Sequence, residues 1–562
     1  MEMPNYRKLV YERPSLDAFR ECAMKTRLRL MTSKDIELND SSLADFQKQL
    51  SRFYTAEALC RIRHDQNTAN PFYLNELNYY EESEPAVSEL CAAVYSMLLS
   101  SDIKEALKEK FGEMLFRKAL TRKETVSSEV VDDLTRESEL ENKYSQYLSE
   151  AVIHFDGKKF NLSMMDPFLE SSDREERRLA HEAVSDYYSG NLGFFNETFN
   201  DLVNTRTLIA QKLSYPTFVS LGYKRMERYD YTPEMVAEFR DDVVRYIVPL
   251  TVEIRRLQAE RLGVGELKYY DLPSMFSGGN PKPVIEKTAY HLSASKMFKS
   301  IFEKDPSFFD VLQTYGFTDL VSRKGKSNGG YCETLLDYGV PFIFMNASGT
   351  SDDVATLIHE SGHAYAAIRS ANCSPFIECL SPTLETCEIH STAMEYLSYP
   401  YLELFFGDKA GVYRDLHLTL ALLFIPYGCM VDEFQHTVYS NPSLSFDERH
   451  KVWHDLEKKY QPYLDYDGNE FYESGAAWIK KSHIFTDPFY YIDYCLAQIV
   501  ALQIWDISRS QPQKALSIYD QLCLEGGNKM FLELIEKADL ESPFSTGAIK
   551  RCAYRVAEFL AL

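Results

Sequence analysis

Apolar residues recur at spacings of three and four along most of the chain and alternate in only two short places, which predicts a mainly helical body with little sheet. From about Asp45 to Leu148 the pattern is helical, with long charged faces between Ser101 and Leu120 and between Val130 and Leu148. Charge runs such as EESE and KEKF read as solvated helix faces. In VIHFDGKKFNL, Val152 to Leu162, Asp156-Gly157 sits between two alternating runs and predicts a tight hairpin. Ser172-Asp-Arg-Glu175 then opens another helix, because a serine oxygen and a glutamate three residues on can satisfy the free N–H groups of a first turn. Amphipathic helices follow between about Tyr229 and Leu272, and SGGNPKP, Ser277 to Pro283, breaks them with a loop. A second β-rich stretch, Gly325 to Asn346, ends in the apolar run PFIFMN and leads straight into a helix. No fixed-period repeat or low-complexity tail is found. The expected organisation is an N-terminal helical region over 1–165 ending in the hairpin, and a second region over 166–562, packed together as one body.

Composition narrows the partners. Of 562 residues 45% are hydrophobic and 13% aromatic, enough for a substantial core. A net charge of −23 repels phosphate backbones and anionic membranes, so nucleic acid and membrane are not expected as partners. The start, MEMPNYRKLVYERPSLDAF, carries charges where a signal peptide needs an apolar segment, and no 18-residue apolar run is apparent elsewhere, so a cytoplasmic location is expected. Eleven cysteines without a CxxC pair, several inside helical apolar patterns (Cys60, Cys91, Cys495), fit reduced core thiols.

The chemistry concentrates in LIHESGHAYA, Leu357 to Ala366. On a helix His359 and His363 lie one turn apart on one face and can present imidazole nitrogens to one ion at about 2 Å. Glu360 lies beside them, placed to act as a base on a water held at the metal without being a ligand. Thr350-Ser-Asp-Asp353 supplies capping residues, and Val354, Leu357, Ile358, Tyr365 and Ile368 keep a helical spacing, so the histidines face inward. Two uncharged histidines in a core each need partners; a zinc ion satisfies both. The competing reading is a buried helix whose histidines are satisfied by neighbours. A catalytic zinc needs a third protein ligand. The metzincin spacing fails, because Arg369 stands where its third histidine belongs and Ala366 where its glycine belongs. Thermolysin-like and aminopeptidase-like spacings meet Pro382 and Thr383. Downstream, Ser381 to Leu397 carries Glu385, Glu388, His390 and Glu395 on a helical stretch, and a carboxylate ligand is expected there.

HESGH, followed after 24 residues by Glu388 in E-I-H-S, resembles the zinc oligopeptidases of the thimet oligopeptidase and oligoendopeptidase F family. The resemblance implies His359, His363 and Glu388 as zinc ligands, Glu360 as general base and His390 as structural. HIFTDPFYYIDYCLAQIVALQIW, His483 to Trp505, resembles the family's late histidine and tyrosine region, and aligns Tyr494, with Tyr491 one turn earlier and His483 upstream, on its oxyanion-holding groups. Thr486-Asp-Pro488 replaces the paired glycines of thimet-type relatives and leaves open which of Tyr490, Tyr491 and Tyr494 reaches substrate. The strand before the zinc helix lines the cleft in the family, and residues near Phe342 to Met345 are expected either to offer an exposed edge to an extended peptide or to be a buried structural strand. Three motifs in order, mainly within 150–562, and the wording SHIFTDPFYYIDY bring the chain nearest the shorter bacterial oligoendopeptidases of Pz-peptidase type. The implied protein is a mainly α, zincin-like, two-lobed body with a deep channel and a small sheet beside the HExxH helix. The implied activity is that of a zinc endopeptidase, one Zn2+ per chain, cutting short unstructured peptides. The rivals are a zinc carboxypeptidase on a related helical fold and a non-enzymatic helical peptide-binding protein. Oligomeric state is not legible.

Overall fold

A computed structural model describes residues 4–302 and 308–562. Helix begins well before the strongest sequence pattern. Ser15 caps Leu16–Thr32 by accepting from the Ala18 N–H, and Asp35 caps Ile36–Gln66 in the same way at Leu38. These helices, with Pro71–Ser100 and Glu113–Thr125, close an apolar core around Phe19, Phe46, Phe53, Tyr80 and Leu98. Phe376 and Cys379, from far along the chain, complete that core. A second, larger core around Phe199, Phe434, Trp453 and Trp478 fills the rest. Two apolar centres in one chain are the physical content of the two-lobed, mainly helical fold.

Arg206 ties the elements around the larger core. Wholly buried on helix Leu192–Lys212, it donates to Glu137 and Glu141 of Val131–Ser149 at 2.7 Å each. It also donates to the Tyr439 hydroxyl at 2.7 Å and the Phe485 carbonyl at 2.6 Å. Arg206→Met is expected to cost on the order of 3 kcal/mol in urea unfolding, the low end for a broken buried pair, because Arg225 still holds Glu137 at 2.9 Å. A variant as stable as wild type would contradict that account.

The hairpin forms where its turn predicts. β1 (Ile153–Phe155) and β2 (Lys158–Phe160) pair antiparallel, with Asp156 and Gly157 at φ of 46° and 70°. The next helix, Arg174–Gly190, is capped by Asp173 rather than Ser172, its side chain accepting from the Glu175 and Glu176 N–H groups. The other sheet has three strands, β3 (Thr318–Val321), β4 (Gly330–Leu335) and β5 (Val340–Ala347), in the order β3-β5-β4. β5 pairs parallel with β3 and antiparallel with β4. Of the two readings of Phe342 to Met345, the buried structural strand is the one observed: those residues are buried on the central strand, and the outer strands are β3 and β4. A correction concerns hydropathy. Tyr399–Ser440 contains a window apolar enough in length and composition to cross a bilayer, but 72% of it is buried inside the fold, as in a core helix. All eleven cysteines are free thiols.

Candidate metal centre

β5 runs through Ser348 and Gly349 into the histidine helix, Ser351–Ser370. Thr350 and Asp353 cap its start reciprocally: Asp353 Oδ2 accepts from the Thr350 N–H at 2.7 Å, and Thr350 Oγ1 from the Asp353 N–H at 3.3 Å. Two turns later His359 and His363 stand with ring centroids 5.0 Å apart. The glutamate helix, Leu384–Leu397, crosses against this one at Gly362. A Cβ at Gly362 would lie 2.6 Å from the His390 carbonyl oxygen and 2.8 Å from the Ser391 Cα, so only a glycine admits the crossing.

That close approach delivers Glu388. Its Oε2 lies 3.3 Å from His359 Nε2 and 3.8 Å from His363 Nε2. All three donor atoms fall within 4.8 Å of one another, the one such His/Cys/Asp/Glu group among the described residues. Donors about 2 Å from a tetrahedral ion sit roughly 3.3 Å apart, close to the observed spacings. His363 is half-buried and has no hydrogen-bond partner among the described residues. Burial pushes it down to about 4, so at neutral pH its lone pair is free. Glu388 is pulled down to about 2 although burial opposes its charge, because His359, His363 and Tyr490 surround it. Two imidazoles and an ionised carboxylate with this spacing fit a divalent ion.

Glu360 stays outside the donor set. Burial raises its carboxyl to about 7, with Glu388 and Glu395 adding to the rise and His359 opposing it. Proton transfer near neutrality suits a carboxylate so poised, and the charge of a bound ion would lower it again. β4, an outer strand of the sheet, is close by: burial raises the Cys332 thiol, and Glu360 is the next cause.

Behind His359 lies a polar row. His359 Nδ1 is 2.7 Å from Glu395 Oε1, Glu395 Oε2 is 2.6 Å from His417 Nε2, and His417 Nδ1 is 2.7 Å from the Tyr399 hydroxyl. Such partners fix the ring orientation of a ligating histidine. Sequence reasoning noted Glu395 only as a charge on the glutamate face, and had no signal for His417 or Tyr399. His390 is buried outside the donor set.

The late region supplies an aromatic wall. The His483 ring lies 5.0 Å from that of Tyr491 and 6.0 Å from those of Tyr490 and Tyr494. His483 Nδ1 is buried without a partner among the described residues. The Tyr491 hydroxyl accepts from Lys481 Nζ at 3.1 Å, and its ring packs on Phe424 and Tyr427, so it is already engaged. Tyr490 donates its hydroxyl to Glu388 Oε1 and packs, tilted, on Tyr494 with ring centroids 4.9 Å apart. Tyr490, one of the three tyrosines left open by the sequence, is thus the one in contact with a candidate ligand.

Comparisons with known proteins agree with the geometry. Residues 168–554 match the model of Peptidase family M3, and residues 6–126 that of the Peptidase M3 N-terminal domain. The chain is 25% identical over 543 residues to Oligopeptidase PepF of Bacillus subtilis (strain 168), covering 88% of this chain and 76% of that protein. It superposes on the solved structure of PZ peptidase A with inhibitor 2 at a TM-score of 0.96 and 39% identity, covering 99% of both chains. Metallocarboxypeptidase 1 of Trypanosoma cruzi, at 12% identity and a TM-score of 0.61 over 96% and 99% of the two chains, shares the fold alone. With the family models spanning most of the sequence and the converging His and Glu donors at its centre, the chain belongs to peptidase family M3 and is a metallo-oligopeptidase, a metalloendopeptidase.

Proposed function

We propose that the chain is a zinc-dependent oligoendopeptidase that hydrolyses internal bonds of short, unstructured peptides. The observation that carries this reading is the convergence of His359, His363 and Glu388 with Glu360 immediately beside them and outside the donor set. The two histidines and Glu388 would hold one Zn2+. When bound, zinc supplies a Lewis acid that polarises the scissile carbonyl and acidifies its water. Glu360 takes the proton of the attacking water and passes it to the leaving amine nitrogen. β4, an outer strand of the sheet, is the one beside which an extended peptide would lie, through main-chain hydrogen bonds. His483, whose Nδ1 has no partner among the described residues, and Tyr494 would donate to the developing oxyanion, each worth about 3 kcal/mol in that role. The engaged hydroxyl of Tyr491 makes it the weakest of the three expected donors.

Product mapping of a mixed peptide library, with and without chelator, tests the reading. Internal cleavage abolished by chelator is expected. Stepwise loss of single C-terminal residues would support the carboxypeptidase instead, and no chelator-sensitive cleavage would support the binding protein.

Glu395→Gln is expected to weaken zinc about 10- to 100-fold, as loss of a ligand's orienting partner does, measured by competition with a chromogenic chelator. Unchanged affinity would remove Glu395 from the support of His359.

A further inference from the structure

The turn that delivers Tyr490 to the centre is gripped by buried groups that touch no candidate ligand. Phe489 has φ of 70°, the left-handed region that residues with a Cβ avoid. Its N–H donates to Gln435 Oε1 at 2.8 Å, and its carbonyl accepts from Arg228 Nη2 at 2.6 Å. The same Arg228 nitrogen reaches Asp493 Oδ1 at 2.8 Å, in the first turn of the tyrosine helix Tyr491–Ser510. The Phe489 ring is fully buried over Gly222, where a Cβ would come within 2.5 Å of Phe489 Cδ2. It also packs against His436 and Tyr439, with centroids at 5.1 and 5.6 Å. Arg228, Gln435 and Asp493 are all buried, so three polar side chains are spent on one turn.

The next residue shows what the turn sets. The Tyr490 hydroxyl meets Glu388 Oε1, while Oε2 of the same carboxylate faces both imidazoles. A ligating carboxylate held at one oxygen by a phenol is fixed in orientation, with its other oxygen turned to the ion, and loses affinity when that partner is removed. We infer that Gly222, Arg228 and Gln435 are positioning residues, which hold Phe489 in the turn that keeps the Tyr490 hydroxyl on Glu388 Oε1 and so keeps Oε2 turned to the metal. This rests on the metallopeptidase reading above.

A double-mutant cycle tests it, with zinc affinity by chelator competition and kcat and KM on one peptide measured for each folded variant. Tyr490→Phe and Gly222→Ala are each expected to weaken zinc and lower kcat about tenfold, with KM within threefold, and the double variant to be no worse than Tyr490→Phe. Gln435→Leu should repeat the loss and Gln435→Glu, which keeps an acceptor oxygen, should recover part of it, a comparison that serves if Gly222→Ala fails to fold. Losses that multiply in the double variant would overturn the inference. So would a Gly222→Ala or Gln435→Leu enzyme that melts earlier but keeps its zinc affinity and kcat. Wild-type protein that binds zinc but cleaves no peptide defeats the functional reading, and the affinity cycle still decides the clamp.

Discussion

Glu360→Gln is expected to lower kcat for a quenched-fluorescent peptide about 10³- to 10⁴-fold, the upper part of the range for a lost general base, with KM within a few-fold. Glutamine matches the side chain in size but takes no proton, and Glu360 lies outside the donor set, so zinc content should stay at one per chain. Near-normal turnover in the zinc-loaded variant would sink the assignment. The same substitution carries a separate signature in the metal-free protein. An acid whose folded value is raised costs stability as pH climbs from its unfolded value, near 4.5, through its folded value, about 7, and the full cost persists above that. Metal-free Glu360→Gln should therefore melt higher than metal-free wild type at pH 8 and no higher at pH 4. The reverse order would show that the buried carboxylate is not a strained charge.

Removal of the metal should have the larger effect on activity. Dialysis against chelator is expected to take peptide cleavage to background, and stoichiometric zinc to restore it. His363→Ala should stay inactive with zinc added, because its imidazole is one of the three donors that converge among the described residues. An active His363→Ala enzyme would require a different ligand set. Binding to the native state alone also stabilises it, by about 4 kcal/mol at a free zinc concentration a thousandfold above Kd, so the melting temperature should fall on chelation and recover on reloading. Affinity should rise with pH. Burial opposes charge on His359, but Glu388 and Glu395 outweigh it and favour the imidazolium, whose proton the ion must displace. Affinity unchanged between pH 6 and pH 8 would contradict that competition.

The donor helix was legible because its information is local: a cap at Thr350, two histidines one turn apart, and a family spacing to Glu388. The rest of the site depends on long-range packing. His417 reaches Glu395 from 22 residues away, and nothing in its own neighbourhood distinguishes it from a core histidine. The sequence left β5 open between an exposed edge and a buried strand, because β3, the parallel neighbour that makes it central, is only four residues long and carries almost no alternation. The resemblance aligns Tyr494 and Tyr491 and leaves Tyr490 open beside them. The left-handed Phe489 ends the helical count just before Tyr490, so it is Tyr490 that meets Glu388. The first helix is hard to read from the sequence because Leu16–Thr32 leaves Met24, Leu28 and Met31 exposed, which blurs the apolar stripe.

The crossing at Gly362 sets a ruler for the centre. The spacing between the histidine and glutamate helices is limited by main-chain atoms, the His390 carbonyl and the Ser391 Cα, and the Tyr519 hydroxyl donates to the His390 carbonyl at 3.0 Å from behind. Main-chain atoms do not change when side chains do. Neighbouring core positions can therefore drift far in identity without altering the gap across which the donors face one another, whereas a single methyl at Gly362 changes it at once.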